Sequence, residues 1–278
     1  MDRIKLASHG VEIALQTAGT ANRPALLLLH GWPHSHALYE PVMRDLSDRF
    51  FVLAPDLPEI GESRGTPSSA EKTMLADVLI AAAEQAGARD IVVAGIDVGG
   101  MIAFAAARDH GQRIRGAVVT NTVVPGIDPW EKLLADPRIW HFAFHAIPDL
   151  PETMVQGRQR LYFDYFTNAL AGNAKAVPED LRARFAAAYA RPEALKAGFD
   201  WYRTLAADAK HNARPKAIET PVLYLRGDAD GRTPEDYLPG LRQAGVRDLR
   251  SAVLAGSGEF APLEAPKAVV EALMNFAR

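Results

Sequence analysis

One carboxylate stands between an apolar strand and a run of small helical residues in the segment Ile91-Val92-Val93-Ala94-Gly95-Ile96-Asp97-Val98-Gly99-Gly100. Flanking glycines are typical of a sharp strand-to-helix turn that exposes its central residue for reaction. A serine at such a turn forms an acyl ester, whereas a carboxylate such as Asp97 displaces an alkoxide or a halide from carbon and becomes an alkyl ester itself. A strand that merely ends in a polar turn would give the same pattern, so the pattern needs support from the rest of the chain.

A second glycine turn, His30-Gly31-Trp32-Pro33, follows an apolar run about 65 residues before Asp97. Backbone N–H groups just beyond a strand end bind anions, and those of Trp32 and Val98 would form a hole with two donors. A tight turn kept only for its geometry is the alternative. The glycine turn at Asp97 favours the anion-binding role, because an anion hole of this kind takes one N–H group from each of the two glycine turns.

Short apolar runs alternate with helical patterns, which predicts a mostly parallel sheet of eight strands with flanking helices. The strands are predicted at Ile4–Ser8, Val11–Thr17, Ala25–Leu29, Phe50–Pro55, Ile91–Ile96, Ile114–Thr122, Pro221–Arg226 and Leu249–Leu254. Helices are predicted at Ala37–Ser47, Glu71–Ala86, Gly99–His110 and Leu263–Phe276.

Residues 125–213 have a different character, with seven prolines, many aromatic residues and helical rather than strand patterning. We interpret this stretch as a helical cap domain inserted into a core domain made of residues 1–124 and 214–278.

The composition excludes several classes of function. With 278 residues, 48% of them hydrophobic, the chain can build one large core. A net charge of −3 leaves no basic surplus for nucleic acid, and no run is long enough to cross a membrane. There is no cysteine and no apolar signal segment, so we expect a cytoplasmic protein without a metal or cofactor site. The sequence leaves a homodimer open.

Together these features resemble an α/β-hydrolase of the epoxide hydrolase and haloalkane or fluoroacetate dehalogenase group. The resemblance spans nearly the whole chain: the His30-Gly31-Trp32-Pro33 loop, the stretch from Pro55 to Ser63, the aspartate elbow, the cap, and the last strand and helix. It implies the α/β-hydrolase fold, with Asp97 as nucleophile and an apolar small molecule as substrate.

In that group an acid behind the catalytic histidine follows the sixth or the seventh strand. The sixth predicted strand ends at Asn121 and Thr122, which carry no carboxylate. Asp230, in Arg226-Gly227-Asp228-Ala229-Asp230, resembles the Gly-x-x-Asp pattern of epoxide hydrolases and is the candidate, with Asp228 in reserve. Acidic residues that only shape a turn are the alternative.

Cap residues resemble the substrate-binding side chains of both branches of the group. Trp140-His141-Phe142 resembles the dehalogenase segment in which a histidine and a tryptophan hold the leaving halide, but Phe142 lacks the N–H donor of that tryptophan. Tyr202 resembles the tyrosine that assists epoxide opening, and either Tyr162 or Tyr165 is the candidate second donor. Packing of the cap is the alternative for each aromatic residue.

The position of the family's catalytic histidine does not fit. The pattern Gly-x-Gly-His-Phe appears here as Gly256-Ser257-Gly258-Glu259-Phe260. A histidine removes a proton from the water that cleaves the aspartyl ester, whereas an ionised glutamate has no proton to donate to Asp230. Three carboxyl groups in one pocket should also share a proton, since close like charges raise at least one pKa.

Four interpretations of Glu259 follow: a carboxylate that works as the base, an isomerase, lyase or cyclase on the same fold, a ligand-binding protein without catalysis, or an engineered replacement that blocks turnover. The histidines of the loops and cap are His34, His36, His141, His145 and His211, and their spacing does not make any of them a replacement base. The leading hypothesis is a hydrolase of the epoxide hydrolase type in which Glu259 and Asp230 handle the water.

Overall fold

The fold is built on one eight-stranded sheet, described for residues 1–278 by a computed structural model. The strands lie in the order β1-β2-β4-β3-β5-β6-β7-β8; β2 pairs antiparallel with β1 and β4, and the other pairs are parallel. The strands are β1 (Asp2–Ser8), β2 (Val11–Ala18), β3 (Ala25–Leu29), β4 (Phe51–Pro55), β5 (Val92–Ile96), β6 (Gly116–Thr120), β7 (Val222–Gly227) and β8 (Leu249–Leu254). The predicted strands agree with these bounds to within about two residues at each end.

Helices cover both faces of the sheet, so its central strands are buried on both sides, as their uninterrupted apolar sequences require. The helices of the core are α1 (Glu40–Ser47), α2 (Lys72–Gln85), α3 (Val98–Asp109), α11 (Leu238–Gln243), α12 (Ala261–Glu264) and α13 (Pro266–Phe276). Short 3-10 helices cover His36–Tyr39, Pro137–Ile139, Ala174–Ala176 and Pro234–Asp236.

Seven helices lie between β6 and β7, in the stretch predicted to form the cap. They are α4 (Trp130–Leu134), α5 (His141–Ala146), α6 (Leu150–Val155), α7 (Gln159–Leu170), α8 (Glu179–Ala188), α9 (Pro192–Arg203) and α10 (Leu205–Asn212). The α/β-hydrolase architecture is thereby confirmed, while the division into domains at residues 124 and 213 stays a prediction.

A buried ion pair fixes the helical insertion to the core. Lys72, at the start of α2, donates from Nζ to Asp208 Oδ2 at 2.7 Å, to the carbonyl of Trp201 at 2.6 Å and to the Thr204 hydroxyl at 2.8 Å. The side chains of Lys72 and Asp208 are nearly inaccessible. Because removal of one member leaves the other charge buried without a partner, this contact strongly favours the observed placement of α9 and α10 over the sheet.

None of the helices is long and apolar enough to span a membrane.

Candidate active site

Asp97 lies at the junction of β5 and α3 in a strained backbone conformation, with φ of 52° and ψ of −125°. The turn is possible because glycines lie two residues before and after Asp97: a Cβ on Gly99 would lie 2.1 Å from the carbonyl oxygen of Leu29. Non-glycine residues adopt this conformation only where the surrounding structure imposes it, and such sites are concentrated at functional positions. The surrounding sheet therefore imposes this turn, and the turn directs the Asp97 side chain away from the strand end.

Two backbone N–H groups bind the Asp97 carboxylate. The Trp32 N–H donates to Oδ2 at 2.8 Å, and the Val98 N–H donates as well. Burial raises the pKa of Asp97 to about 6, although these two donors and the charge of Lys72 act in the opposite direction. The donors predicted from the two glycine turns thus meet at the predicted carboxylate, which is mostly ionised at neutral pH.

Glu259 faces the same cavity from the turn that follows β8. Its N–H donates to the carbonyl of Leu170, at the end of α7, at 3.0 Å. Part of the residue remains accessible, but its Oε1 is buried without a hydrogen-bond partner. Burial raises the pKa of Glu259 well above its usual value, the charge of Asp97 raises it further, and Arg226 acts in the opposite direction. Asp97 therefore ionises first, and its charge helps to keep Glu259 protonated.

Asp230 also lines the cavity, yet its carboxylate is held by two arginines. It forms ion pairs with Arg226 and Arg232 and accepts the Arg232 N–H at 3.1 Å. No hydrogen bond joins Asp230 to Glu259. The structure thus brings the two candidate water-handling groups to one cavity without connecting them.

Asn121, at the end of β6, connects neighbouring backbone segments through its side-chain amide. Its Oδ1 accepts the Gly227 N–H at 2.8 Å, and its Nδ2 donates to the carbonyl of Gly258 at 2.7 Å. The side chain thereby ties the ends of β6 and β7 to the turn that carries Glu259. This accounts for an amide at a strand end where a carboxylate would have suggested a catalytic acid.

A cavity of about 110 Å³ connects these groups beneath the helical insertion. A second depression of about 370 Å³ adjoins it and shares Arg226, Asp230 and Glu259 with it. The residues that line the first cavity are Trp32, Pro33, His34, Asp97, Asn121, Thr122, Val123, Leu133, Ile139, His141, Phe142, Phe166, Leu170, Tyr202, Arg226, Asp230, Arg232, Tyr237, Glu259 and Phe260.

Tyr202, on α9, lines this cavity with a buried hydroxyl that has no hydrogen-bond partner. Burial raises the pKa of Tyr202 well above its usual value, and the charge of Asp97 raises it further. The phenol therefore keeps its proton and remains a donor at every ordinary pH. His141 and Phe142 of α5 also line the cavity, as predicted from the cap segment.

Three other predicted cap residues lie outside the lining of this cavity, and their roles stay predictions. Trp140 and Tyr165 are 41% and 53% exposed, and the Tyr162 hydroxyl is engaged with His145 Nε2 at 2.9 Å. Helical spacing explains the difference, because α7 presents Phe166 and Leu170 to the cavity and turns Tyr165 towards solvent. The sequence of an aromatic segment does not show which ring faces inward, because that depends on how the helix packs against its neighbours.

Residues that sequence reasoning left without a role are also near Asp97. His34 lines the cavity, and both of its ring nitrogens are buried without partners. Tyr189 is fully buried with an unpartnered hydroxyl, and the charge of Asp97 contributes, after burial, to raising its pKa. Arg226, which ends β7, has a buried Nε without a partner. Only for His34 was there a sequence signal, namely its position one residue beyond the Trp32-Pro33 turn.

Comparison with known proteins agrees with this fold. Residues 24–266 match the model of the alpha/beta hydrolase fold family. A soluble epoxide hydrolase of Corynebacterium sp. (strain C12) is 25% identical over 96% of this chain and 94% of its own length. A pimeloyl-[acyl-carrier protein] methyl ester esterase of Nitrosospira multiformis is 24% identical over 96% of this chain and 99% of its own. Among solved structures, Cfl2 of Burkholderia cenocepacia superposes with a TM-score of 0.89 and 27% identity, covering 99% of this chain and 95% of Cfl2.

The fold and these matches define an enzyme class, that of the hydrolases. The chain belongs to the alpha/beta hydrolase family.

Proposed function

We propose that this protein is an epoxide hydrolase-like enzyme in which Asp97 attacks a ring carbon of a small to medium apolar epoxide. One observation carries the proposal: a carboxylate on the elbow, held by the N–H groups of Trp32 and Val98, shares a cavity with the unpartnered hydroxyl of Tyr202. The epoxide hydrolase relative supports the same reaction class. The esterase relative does not, since a carboxylate nucleophile on an acyl substrate would give an anhydride rather than a stable acyl-enzyme.

The first step forms an alkyl ester. An oxygen of Asp97 bonds to carbon, the C–O bond of the ring breaks, and the epoxide oxygen leaves as an alkoxide. Tyr202 donates a hydrogen bond or a proton to that oxygen, a contribution worth roughly 10²–10⁴ in rate for general acids. The Trp32 and Val98 N–H groups hold the carboxylate in place before attack and stabilise the charge that develops on it during ester cleavage.

The second step, hydrolysis of the ester, is where this chain departs from its family. In the proposal Glu259, with Asp230 near it, handles the water. Two observations weigh on this assignment: Glu259 retains its proton while Asp97 is ionised, and Asp230 is occupied by Arg226 and Arg232. Burial, the larger cause of the raised pKa of Glu259, remains when Asp97 is an ester, so a protonated Glu259 is a poor acceptor for the proton of water and we expect ester cleavage to limit turnover.

A dehalogenase is the second candidate, because His141 and Phe142 lie in the cavity where the resemblance places halide-binding side chains. Phe142 offers no N–H to a halide, whereas Tyr202 offers an O–H to an alkoxide. The site therefore favours an oxygen leaving group.

Intact-protein and peptide mass spectrometry after incubation with a panel of epoxides and haloacids tests the proposal. We expect epoxides to add their full mass to Asp97, and Asp97→Asn to gain none. Adducts from haloacids with loss of halide would favour the dehalogenase. An absence of adducts with every electrophile would contradict the alkyl-ester reaction and leave a lyase, a cyclase or a ligand-binding protein.

Glu259→His separates the remaining interpretations. A hydrolase that is weak at its base should turn over faster when imidazole returns to position 259. If Glu259 is instead the acid or base of another reaction, the native activity should fall.

A further inference from the structure

His34 is a buried histidine whose two ring nitrogens have no hydrogen-bond partner. Its side chain is fully inaccessible, it lines the cavity of Asp97 and Glu259, and neither Nδ1 nor Nε2 has a partner. Buried polar groups in folded proteins are nearly always satisfied, so an exception needs an explanation. The ring lies in the wall of the cavity, so a small displacement of that wall when a substrate binds would bring its nitrogens to a water inside the cavity.

The ring of His34 is held firmly by its surroundings. Its centroid lies 4.8 Å from that of Phe260 and 5.4 Å from that of Phe185, and the backbone N–H of His34 donates to the carbonyl of Gly31 at 3.0 Å. Burial lowers the pKa of His34 to about 3, with a smaller contribution from His30. The imidazole is therefore neutral and carries one free acceptor nitrogen.

The other buried histidines either have a hydrogen-bond partner or approach the cavity from the helical insertion. His30 bonds through both ring nitrogens, to the carbonyl of Gly31 at 2.8 Å and the Leu57 N–H at 3.0 Å. His145 bonds to Tyr162, and His141 belongs to the helical insertion. His34 alone combines two unpartnered nitrogens with a place on the same loop as the Trp32 N–H that binds Asp97.

We propose that His34 is the general base that accepts the proton of the hydrolytic water, the part that a residue at position 259 has in the rest of the family. The inference rests on the proposed alkyl-ester reaction, and in its second step it replaces Glu259 and Asp230 with His34 as the group that takes the proton of water. The ring of His34 packs on Phe260, the neighbour of Glu259, so the turn after β8 and the loop after β3 approach each other at this point.

The step balances without a further reactant. Water oxygen bonds to Cγ of the Asp97 ester as one of its protons passes to the free nitrogen of His34. The bond between Cγ and the bridging oxygen, which Asp97 supplied in the first step, then breaks, and the departing alkoxide takes the proton from the imidazolium. The second proton of the water leaves the new Asp97 carboxyl group and restores the proton that Tyr202 gave to the epoxide oxygen. Asp97 ends as a carboxylate and His34 as neutral imidazole.

Single-turnover kinetics on the full-length protein test this assignment. The probe is styrene oxide in excess, removed by rapid desalting, followed by mass spectrometry of the Asp97 peptide over time. We expect His34→Gln to form the adduct at a rate within about threefold of the unsubstituted protein and to lose it at least about 100-fold more slowly, the minimum usually attributed to a general base. His34→Asn serves as a second variant, and circular dichroism establishes that each is folded.

A rescue experiment separates a lost base from a damaged cavity. In the His34→Gln, Glu259→His double variant an imidazole returns at position 259, and adduct loss should recover at least tenfold over His34→Gln. His9→Asn is the matched control, since His9 is a partly exposed residue in the turn between β1 and β2 and should alter neither rate.

The outcomes are distinct. Equal decay of the adduct with and without His34 overturns the inference and leaves the proposed function intact. Equal slowing of both steps, or no recovery in the double variant, assigns His34 a structural role and likewise overturns it. A stable adduct in the unsubstituted protein shows that His34 does not act as a base. No adduct in any folded variant removes the proposed function itself.

Discussion

The two sides of the cavity differ in how completely their polar groups are satisfied. On one side, the Asp97 carboxylate is bound by the N–H groups of Trp32 and Val98. On the other, Tyr202 and Glu259 each present buried polar atoms without partners. A satisfied group is already arranged for its role, whereas unsatisfied groups are ready to bond to substrate or water. In the proposed reaction, the side that attacks carbon is therefore complete in the free protein, and the side that protonates and hydrolyses is completed by the substrate and water that enter.

Removal of the nucleophile should produce the largest effect. Asp97→Asn is expected to lower epoxide turnover by about 10⁴-fold or more, since loss of a nucleophile removes the covalent route altogether. Steady-state assays with styrene oxide measure it. Asp90→Asn is the matched control, because Asp90 precedes the same strand, also has a positive φ of 48° and is exposed. Retention of more than a few per cent of activity in Asp97→Asn would mean that the satisfied side is not the attacking side.

A substitution that crowds the anion hole should cause the second-largest loss of rate. A Cβ on Gly31 would lie 2.5 Å from both Cβ and Oδ2 of Asp97, so Gly31→Ala must displace the carboxylate from the Trp32 N–H. We expect a loss of about 10²–10³ in the rate of adduct formation, as for removal of one oxyanion donor. Trp32→Phe retains the backbone N–H and should lose less. A smaller effect of Gly31→Ala than of Trp32→Phe would indicate that the indole, not the N–H, is what matters.

The unsatisfied side is probed first through Tyr202. Tyr202→Phe removes the unpartnered hydroxyl and should slow ring opening by about 10²-fold, without changing the rate at which a formed adduct is hydrolysed. Rapid-quench mass spectrometry separates the two rates. Tyr165→Phe is the matched change at a ring that is 53% exposed, and we expect it to be silent. Equal losses of rate in Tyr202→Phe and Tyr165→Phe would contradict the assignment of Tyr202 as the phenol donor.

The pH dependence of adduct formation should show the ionisation of Asp97. Burial raises its pKa to about 6, so the nucleophile is protonated below that pH, and the rate should fall about tenfold for each pH unit below 6 and level off above it. Glu259→Gln should leave this midpoint nearly unchanged, because Glu259 stays protonated while Asp97 titrates. A midpoint near 4, the usual value for an aspartate, would contradict the buried site described here.

The smallest effects concern stability, and substitutions of two glutamates near the end of β8, Glu259 in the following turn and Glu264 in α12, should change the free energy of unfolding in opposite directions. Glu259→Met removes a buried, unpartnered carboxyl oxygen and should raise the free energy of unfolding by about 1 kcal/mol. Glu264 accepts the N–H groups of Asn173, Gly258 and Phe260 at 2.8, 3.1 and 2.9 Å, so Glu264→Gln should lower it by about 1–3 kcal/mol. Urea titrations compare them. Equal destabilisation would mean that Glu259 has a partner after all.

Much of this architecture can be predicted from the sequence, because it depends on local patterns. Strand and helix bounds follow from apolar periodicity, and a carboxylate between glycines fixes an elbow wherever the strand ends. Trp32, Val98 and Asp97 meet because the carboxyl ends of adjacent parallel strands β3 and β5 lie at one edge of a sheet. The glutamate at position 259 can also be recognised from the sequence, because the end of β8 fixes its position along the chain.

Only the tertiary structure decided which side chains face the cavity. Asp230 turns to Arg226 and Arg232, Tyr165 faces solvent, and His34 faces inward without a partner. These directions depend on how α7 and α9 dock over the sheet and on loops separated by more than two hundred residues. Sequence periodicity assigns a residue to a face of its own element, but the packing of several elements determines what that face meets.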